Sequence, residues 1–332
     1  MTDPLSHLAF ALAGGNGSID GQSVRTLVAA GLALLRGAPA LVRALDRHRS
    51  ALWLPPGAAW VAAMAASEGR AALLVDGGVS RDAIAALLRA HDVGAVFTTS
   101  DRVAMLPPGL PHVALDHLPR QAQWCDPAGR AHTIPLVTHH GLQLEGDPEA
   151  EGSAEEVWRL VGADRRVLPM SHREVLGGAR AFAADARLAP RDHALVLGAG
   201  VSPEALVHGI VAPLLAGGRV TTLAGRSPVA PDVAPEPPAL THALATLEAD
   251  GVSLLVSDAV GYDALLAALE ARGRPLDAPV LQRCIAADGD GPAGAPSPLD
   301  ALARRWRAAT GLPLLQRRPD DDRARARAGD GS

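Results

Sequence analysis

The sequence predicts an α/β architecture of two helix-flanked, mainly parallel sheet subdomains. Short apolar runs of strand length alternate with segments whose apolar residues recur at helical spacing, once in residues 50–99 and again in residues 194–272. Such alternation builds strand–helix–strand units, whose strands lie parallel under a cover of helices. Size agrees, because 332 residues with 48% hydrophobic content can bury one large core or two smaller ones.

Taken in order, Val24, Leu27, Val28 and Leu32 give residues 22–36 an amphipathic helical pattern. A short helix at 40–48 leads into the apolar run 50–54, which Pro55-Pro56 closes as strand then turn. Residues 58–68 read as helix and 71–75 as a buried strand. Ser80 reads as the cap of a helix ending near His91, and 95–99 as the closing strand. Residues 104–152, rich in Pro, His and Gly, predict an irregular connector with one or two strands near 132–138. The connector sets the expected boundary between a first subdomain (1–150) and a second (151–316). Ser171 opens a helix to about Leu188, and Glu174 three residues on completes a capping-box pattern. Strands at 194–197, 219–223 and 253–257 then alternate with helices at 203–215, 239–250 and 262–272, with a Pro-rich linker at 228–238. Residues 317–332 are charged and small, and a disordered tail is expected there.

Composition excludes several classes of function. A net charge of −5 argues against nucleic acid or an anionic membrane surface as a partner. Cys125 and Cys284 make neither a disulfide framework nor a metal-ligand spacing, which suits a reducing cytoplasm. The opening MTDPLSHLAFALAGG lacks the basic region of a signal peptide. No apolar stretch of about twenty residues is free of charge or turn signals, so no membrane span is expected. Every one of the 31 basic residues is arginine, since the chain contains no lysine.

Residues 157–176, VWRLVGADRRVLPMSHREVL, carry the most informative pattern. The half VLPMSHREVL resembles the segment after the phosphate-binding loop in the adenylate-forming superfamily of acyl-CoA synthetases and peptide-synthetase adenylation domains. ALWLPPGAAWVAAM, AHDVGAVFTTSD, VAPLLAGGRVTTL and CIAADGDGPAGAPSPLDALARRWRAATGLPLLQ resemble further segments of that family, in order. The likeness runs to Gln316 and corresponds to the N-terminal part of an acyl-CoA synthetase. The β-barrel subdomain and the C-terminal domain have no counterpart here.

The resemblance implies an ATP/AMP site with Mg, if that site survives, and an acyl pocket. Its remnant nucleotide residues would be Arg166, Ser171 and His172, and its acyl pocket would include Tyr262, Gly294, Ala295 and Pro296. The loop itself departs from the family: Arg166 stands where the lysine belongs, and Leu160 and Ala163 where glycines belong. A phosphate cradle needs glycines because backbone N–H groups must converge on the anion. Arginine, a planar fork, does not replace a compact ammonium. In place of the family's Tyr-Gly-x-Thr-Glu the chain reads RRPDDDRARARAGDGS.

Each of these residues also has a structural reading. The capping box accounts for Ser171 and Glu174, Arg165-Arg166 for a solvated pair, Gly294 to Pro296 for a turn, and Tyr262 for packing at a helix start. Gly198-Ala199-Gly200 after a strand resembles a dinucleotide fingerprint, but Pro203 takes the third glycine's place. His139-His140 with Glu145 or Asp147 lacks a further metal ligand. No Gly-x-Ser-x-Gly or His-Glu-x-x-His occurs.

Three functions follow. One is a catalytically degenerate adenylation-like protein that binds an acyl group, an acyl carrier protein or a partner biosynthetic enzyme, in fatty-acid, polyketide or pigment-type metabolism. Another is an active acyl-adenylating ligase completed in trans, and the last a nucleotide-dependent oxidoreductase built around Gly198 and Gly200.

Overall fold

The computed structural model describes residues 7–46, 48–67, 72–76, 79–136, 156–161, 167–198, 202, 204–223, 237–286 and 298–316. The chain opens with α1 (His7–Gly14), a tight hairpin of β1 (Ser18–Ile19) and β2 (Gln22–Ser23), then α2 (Val24–Gly37) and α3 (Pro39–Leu45).

A first sheet follows. Its elements are β3 (Arg49–Leu52), α4 (Ala58–Ser67), β4 (Ala72–Val75), α5 (Arg81–Ala90), β5 (Val93–Thr98), α6 (Ser100–Val103), β6 (His112–Ala114), β7 (Gln121–Cys125), β8 (Ala131–Pro135), β9 (Glu156–Val161) and β10 (Val167–Ser171). The strands lie in the order β10-β9-β4-β3-β5-β6-β7-β8. The middle five are parallel, and β10, β7 and β8 are added antiparallel at the two margins.

The second sheet is built from α7 (His172–Asp185), β11 (His193–Leu197), a π-helical segment Ala205–Val211 running into α8 (Ala212–Leu215), β12 (Arg219–Leu223), α9 (Pro237–Ala249), β13 (Leu254–Ser257), α10 (Ala259–Arg272), β14 (Arg283–Ala286), α11 (Pro298–Thr310) and β15 (Leu314–Gln316). Its order is β15-β14-β13-β11-β12-β1-β2, parallel except for the β1–β2 hairpin. The predicted class therefore holds: two mainly parallel, helix-flanked sheets.

Alternation along the strands sorts their side chains into three apolar layers. Ala51, Trp53, Leu73 and Val75 face outward from the first sheet with α5. Leu195, Leu197, Leu255, Tyr262 and Trp306 form the outer layer of the second. Leu52, Leu54, Leu74 and Phe97 from one sheet and Ala194, Val196, Val220, Leu254 and Val256 from the other belong to a single central cluster with α2, α4, α7 and the π-helical segment. Side-chain period two thus puts one face of each sheet into a core that both share.

Two close approaches hold that arrangement. Gly31 of α2 packs on α4 so tightly that a Cβ would lie 2.3 Å from the Ala62 carbonyl oxygen and 2.9 Å from Ala65 Cβ. Asp20, in the β1–β2 turn, joins the sheets: Oδ1 accepts from Thr222 N of β12 (2.8 Å) and Oδ2 from Ala58 N at the start of α4 (3.1 Å). A carboxylate at a helix N-terminus is also favoured by the helix dipole. Gly57 lies beside it at φ +155°, where a Cβ would meet Asp20 Oδ2 at 2.9 Å.

Several details differ from expectation. The connector expected to be irregular contains β6, β7 and β8, the last at Ala131–Pro135 rather than 132–138. Ser80 precedes α5 as expected, but its side chain makes no capping hydrogen bond. The Pro-rich linker falls almost wholly outside the described residues, and the 317–332 tail wholly outside. Among the described residues no single helix is long and apolar enough to cross a membrane.

Two outcomes follow from this packing. Gly31→Ala gains about 1 kcal/mol in intrinsic helix propensity, but its methyl must displace α4 backbone, which costs roughly 1–3 kcal/mol. A net drop in the urea midpoint is expected. Glu248 of α9 accepts from Arg272 Nη1 (3.1 Å), Arg274 Nη2 (3.0 Å) and Asp277 N (3.2 Å). These contacts, led by the Arg272 hydrogen bond, pull its pKa from 4.5 to about 2. Because the folded value is depressed, the stabilisation is complete above pH 4.5 and is lost as pH falls towards 2. Glu248→Gln should flatten the fall of denaturation midpoint across that window.

Candidate functional site

The segment singled out by sequence is a β-hairpin with a helix behind it. Strand β9 pairs with β4, β10 pairs with β9, and α7 leaves directly from the end of β10. Trp158, 1% exposed, points into the central core, as do Leu160 and Leu176. The residues that replace a Gly-rich run on the β9 side are thus strand residues committed to packing. Arg166 and Ala163 lie outside the described residues.

Ser171 and Glu174 form the complete reciprocal cap anticipated from their spacing. Ser171 Oγ accepts from Glu174 N (3.1 Å), and Glu174 Oε2 accepts from Ser171 N (2.8 Å) and Ser171 Oγ (3.1 Å). Both side chains therefore satisfy backbone donors that the start of α7 would leave open. His172 is buried, its ring edge-on to Trp158 at 5.0 Å, and Trp158 is in turn edge-on to Trp60 of α4 at 5.8 Å. This chain of rings connects the hairpin to a small cavity.

That cavity is lined by Pro56, Trp60, Leu74, Ser202, Ala205, Leu206 and Ile210, and its volume is about 10 Å³. It lies between α4 and β4 on one side and the start of the π-helical segment on the other. A single water needs about 10–15 Å³ on this measure, so an acyl chain would enter only if these walls moved. Ser202 Oγ accepts from Ala205 N (3.0 Å) and fixes the segment's first turn. Within the segment His208 is 1% exposed, with its ring 4.5 Å from Phe182 of α7. π-helical turns concentrate at functional positions in proteins. The sequence signal for this place was a histidine inside the apolar run ALVHGIVAPLL, which periodicity alone does not reveal.

The remaining sequence candidates are dispersed. Tyr262 is fully buried in the outer core of the second sheet, edge-on to Trp306 at 4.8 Å. Its hydroxyl donates towards the carbonyls of Leu255 (3.0 Å) and Ile285 (3.1 Å). The structure does not bring it together with Ser171 and His172, which adjoin the central cluster. Gly198 ends β11 at φ +60° and its N–H donates to Leu223 O (3.1 Å), while Gly200 lies outside the described residues. Gly294, Ala295 and Pro296, and likewise His139, His140, Glu145 and Asp147, also lie outside them. Among the described residues no group of three or more His, Cys, Asp or Glu is placed to hold a metal ion. Glu174, the carboxylate of the cap, is committed to it through Oε2.

No protein-family model matches the sequence, and no curated protein does. Solved structures do match. The nonribosomal peptide synthetase FmoA3 in its AMPPNP-bound form superposes with a TM-score of 0.63 at 17% identity, over 96% of this chain and 31% of that one. A benzoate CoA ligase from Burkholderia xenovorans gives 0.63 at 14% identity, over 94% and 60%. The N-terminal domain of FACL13 from Mycobacterium tuberculosis gives 0.59 at 17% identity, over 90% and 68%. The fold is that of the adenylate-forming ligases. The chain spans about a third of the FmoA3 structure and 60% of the benzoate ligase, and it matches the N-terminal portion of the ligase fold.

The cap gives a direct expectation. Ser171→Ala should lower stability by about 0.5–2 kcal/mol in urea unfolding. Glu174→Ala added to it should cost little more, because the two side chains act as one unit and their effects are not additive.

Proposed function

We propose that this chain is an adenylate-forming-ligase-like protein that no longer carries out ATP chemistry. It acts as an accessory factor that binds an acyl group, an acyl carrier protein or a partner biosynthetic enzyme, in fatty-acid, polyketide or pigment-type metabolism. The observation that carries this reading is the commitment of the hairpin's polar groups to structure. Ser171 and Glu174 satisfy each other and the start of α7, and His172 is buried edge-on to Trp158. Among the described residues, the backbone N–H groups of β9 are those of a strand paired on both sides, with β4 and with β10, which supports this reading. The absence of lysine supports the same reading, since compact ammonium charge near the transferred phosphate has no source in these residues.

Calorimetric titration of the purified protein with ATP·Mg, and separately with a non-hydrolysable acyl-adenylate mimic, tests the proposal. No saturable heat is expected from ATP·Mg. Saturable binding that disappears in Arg166→Ala would overturn it: the altered loop would then still hold phosphate, and an active ligase completed in trans would be the better account.

A further inference from the structure

A second pocket lies at one end of the second sheet, beside the N-terminal ends of β11, β13 and β14. Its volume is about 150 Å³, and it is lined by Arg187, Arg191, Asp192, Ser253, Val280, Gln282 and Arg283. That is roughly ten times the space one water requires, and three of the seven lining residues are arginines.

The floor is rigidly built. Asp192 Oδ1 accepts from Ser253 Oγ (2.7 Å) and Oδ2 from Ala189 N (2.7 Å), while Asp192 O accepts from Arg219 N (2.9 Å). Ser253 O accepts from the backbone N–H groups of Gln282 (3.0 Å) and Arg283 (3.2 Å), tying β14 to the same floor. Arg187 follows α7 in the left-handed region at φ +50°, its N–H bonded to Ala184 O, so the root of its side chain is fixed by the end of the helix.

Charge in this pocket is not balanced. The one carboxylate already has two strong donors, and Arg283 stands 3.8 Å from it, too far for a hydrogen bond. Arg283 Nη1 is buried and has no hydrogen-bond partner. An unsatisfied buried N–H of a charged group is costly, and an anion seated above the floor would satisfy it. Arg187 and Arg191, both exposed at the rim, would close over such an anion from the solvent side. Three guanidinium groups against one carboxylate leave a net charge of +2, and planar forks of N–H donors match tetrahedral oxyanions well.

We propose that this pocket binds a phosphate dianion, either free or as the terminal group of a small phosphomonoester. It is separate from the cavity beside Trp60 and does not depend on the proposed loss of ATP chemistry.

Calorimetry at constant ionic strength with inorganic phosphate, glycerol phosphate and acetate in turn tests it. Saturable binding of phosphate or glycerol phosphate tighter than about 1 mM is expected, with acetate much weaker. The stronger of the two phosphates identifies the source. Arg191→Gln, an exposed substitution that leaves the floor intact, and Arg283→Gln should each weaken binding by roughly tenfold or more, whereas Arg166→Ala should not. Lack of saturation, equal binding of acetate, or unchanged affinity in the folded Arg191→Gln variant would overturn the proposal.

Discussion

The structure depends on one apolar layer that two sheets share. Leu52, Leu54 and Phe97 of the first sheet and Val196, Val220 and Val256 of the second are buried in the same cluster, with α2, α4, α7 and the π-helical segment between them. Each sheet has one face whose burial requires the other sheet's helices, so the halves constrain each other as one packed body. The contact of Gly31 with α4 sets how closely the helices in this layer approach. Asp20 fixes the register across it, because one carboxylate serves a strand of the second sheet and the helix start after a strand of the first.

This arrangement also determines what the hairpin can do. Strand β9 is bound on one side to β4 and on the other to β10, and Trp158 is locked between Trp60 and His172. Dense packing of large rings resists displacement, since interiors tolerate little change in volume. The same residues that make the hairpin stable leave β9 no glycine freedom. The fold here rests on strands and rings. Nucleotide chemistry in such a fold would rest on connections, whose sequence can change without disturbing the core.

Local signals were legible in the sequence and long-range ones were not. The capping box of Ser171 and Glu174 could be read at three-residue spacing because both partners lie in one helical turn. Apolar periodicity likewise placed α2, α4 and most parallel strands within a few residues. The β1–β2 hairpin, only two residues per strand, joins β12 some two hundred positions later, and no local pattern announces that pairing. The β9–β10 hairpin is hidden for a different reason: compared with a phosphate loop, Leu160 stands in a glycine's place, although its alternation with Trp158 marks both as core. The π-helical segment has an ordinary apolar helix pattern, and nothing in its periodicity shows the widened turn.

The two strand ends of the second sheet separate stability from ligand chemistry in different ways. At the end carrying Gly198 and Ser257, Ser257 Oγ donates to Leu197 O (2.7 Å), and Asp258 caps α10 by accepting from Gly261 N (2.7 Å). Those polar groups are answered within the chain. At the other end Asp192 and Ser253 are answered as well, but guanidinium capacity remains, because Arg187, Arg191 and Arg283 exceed the carboxylate available to them. Buried polar groups that are fully paired rigidify a fold, and those left with spare donors favour a partner from outside. On that criterion the pocket at the strand N-termini has the unbalanced charge of a binding site. Among the described residues of the β9–β10 hairpin and α7, the Ser171–Glu174 cap has the satisfied hydrogen bonds of a structural element.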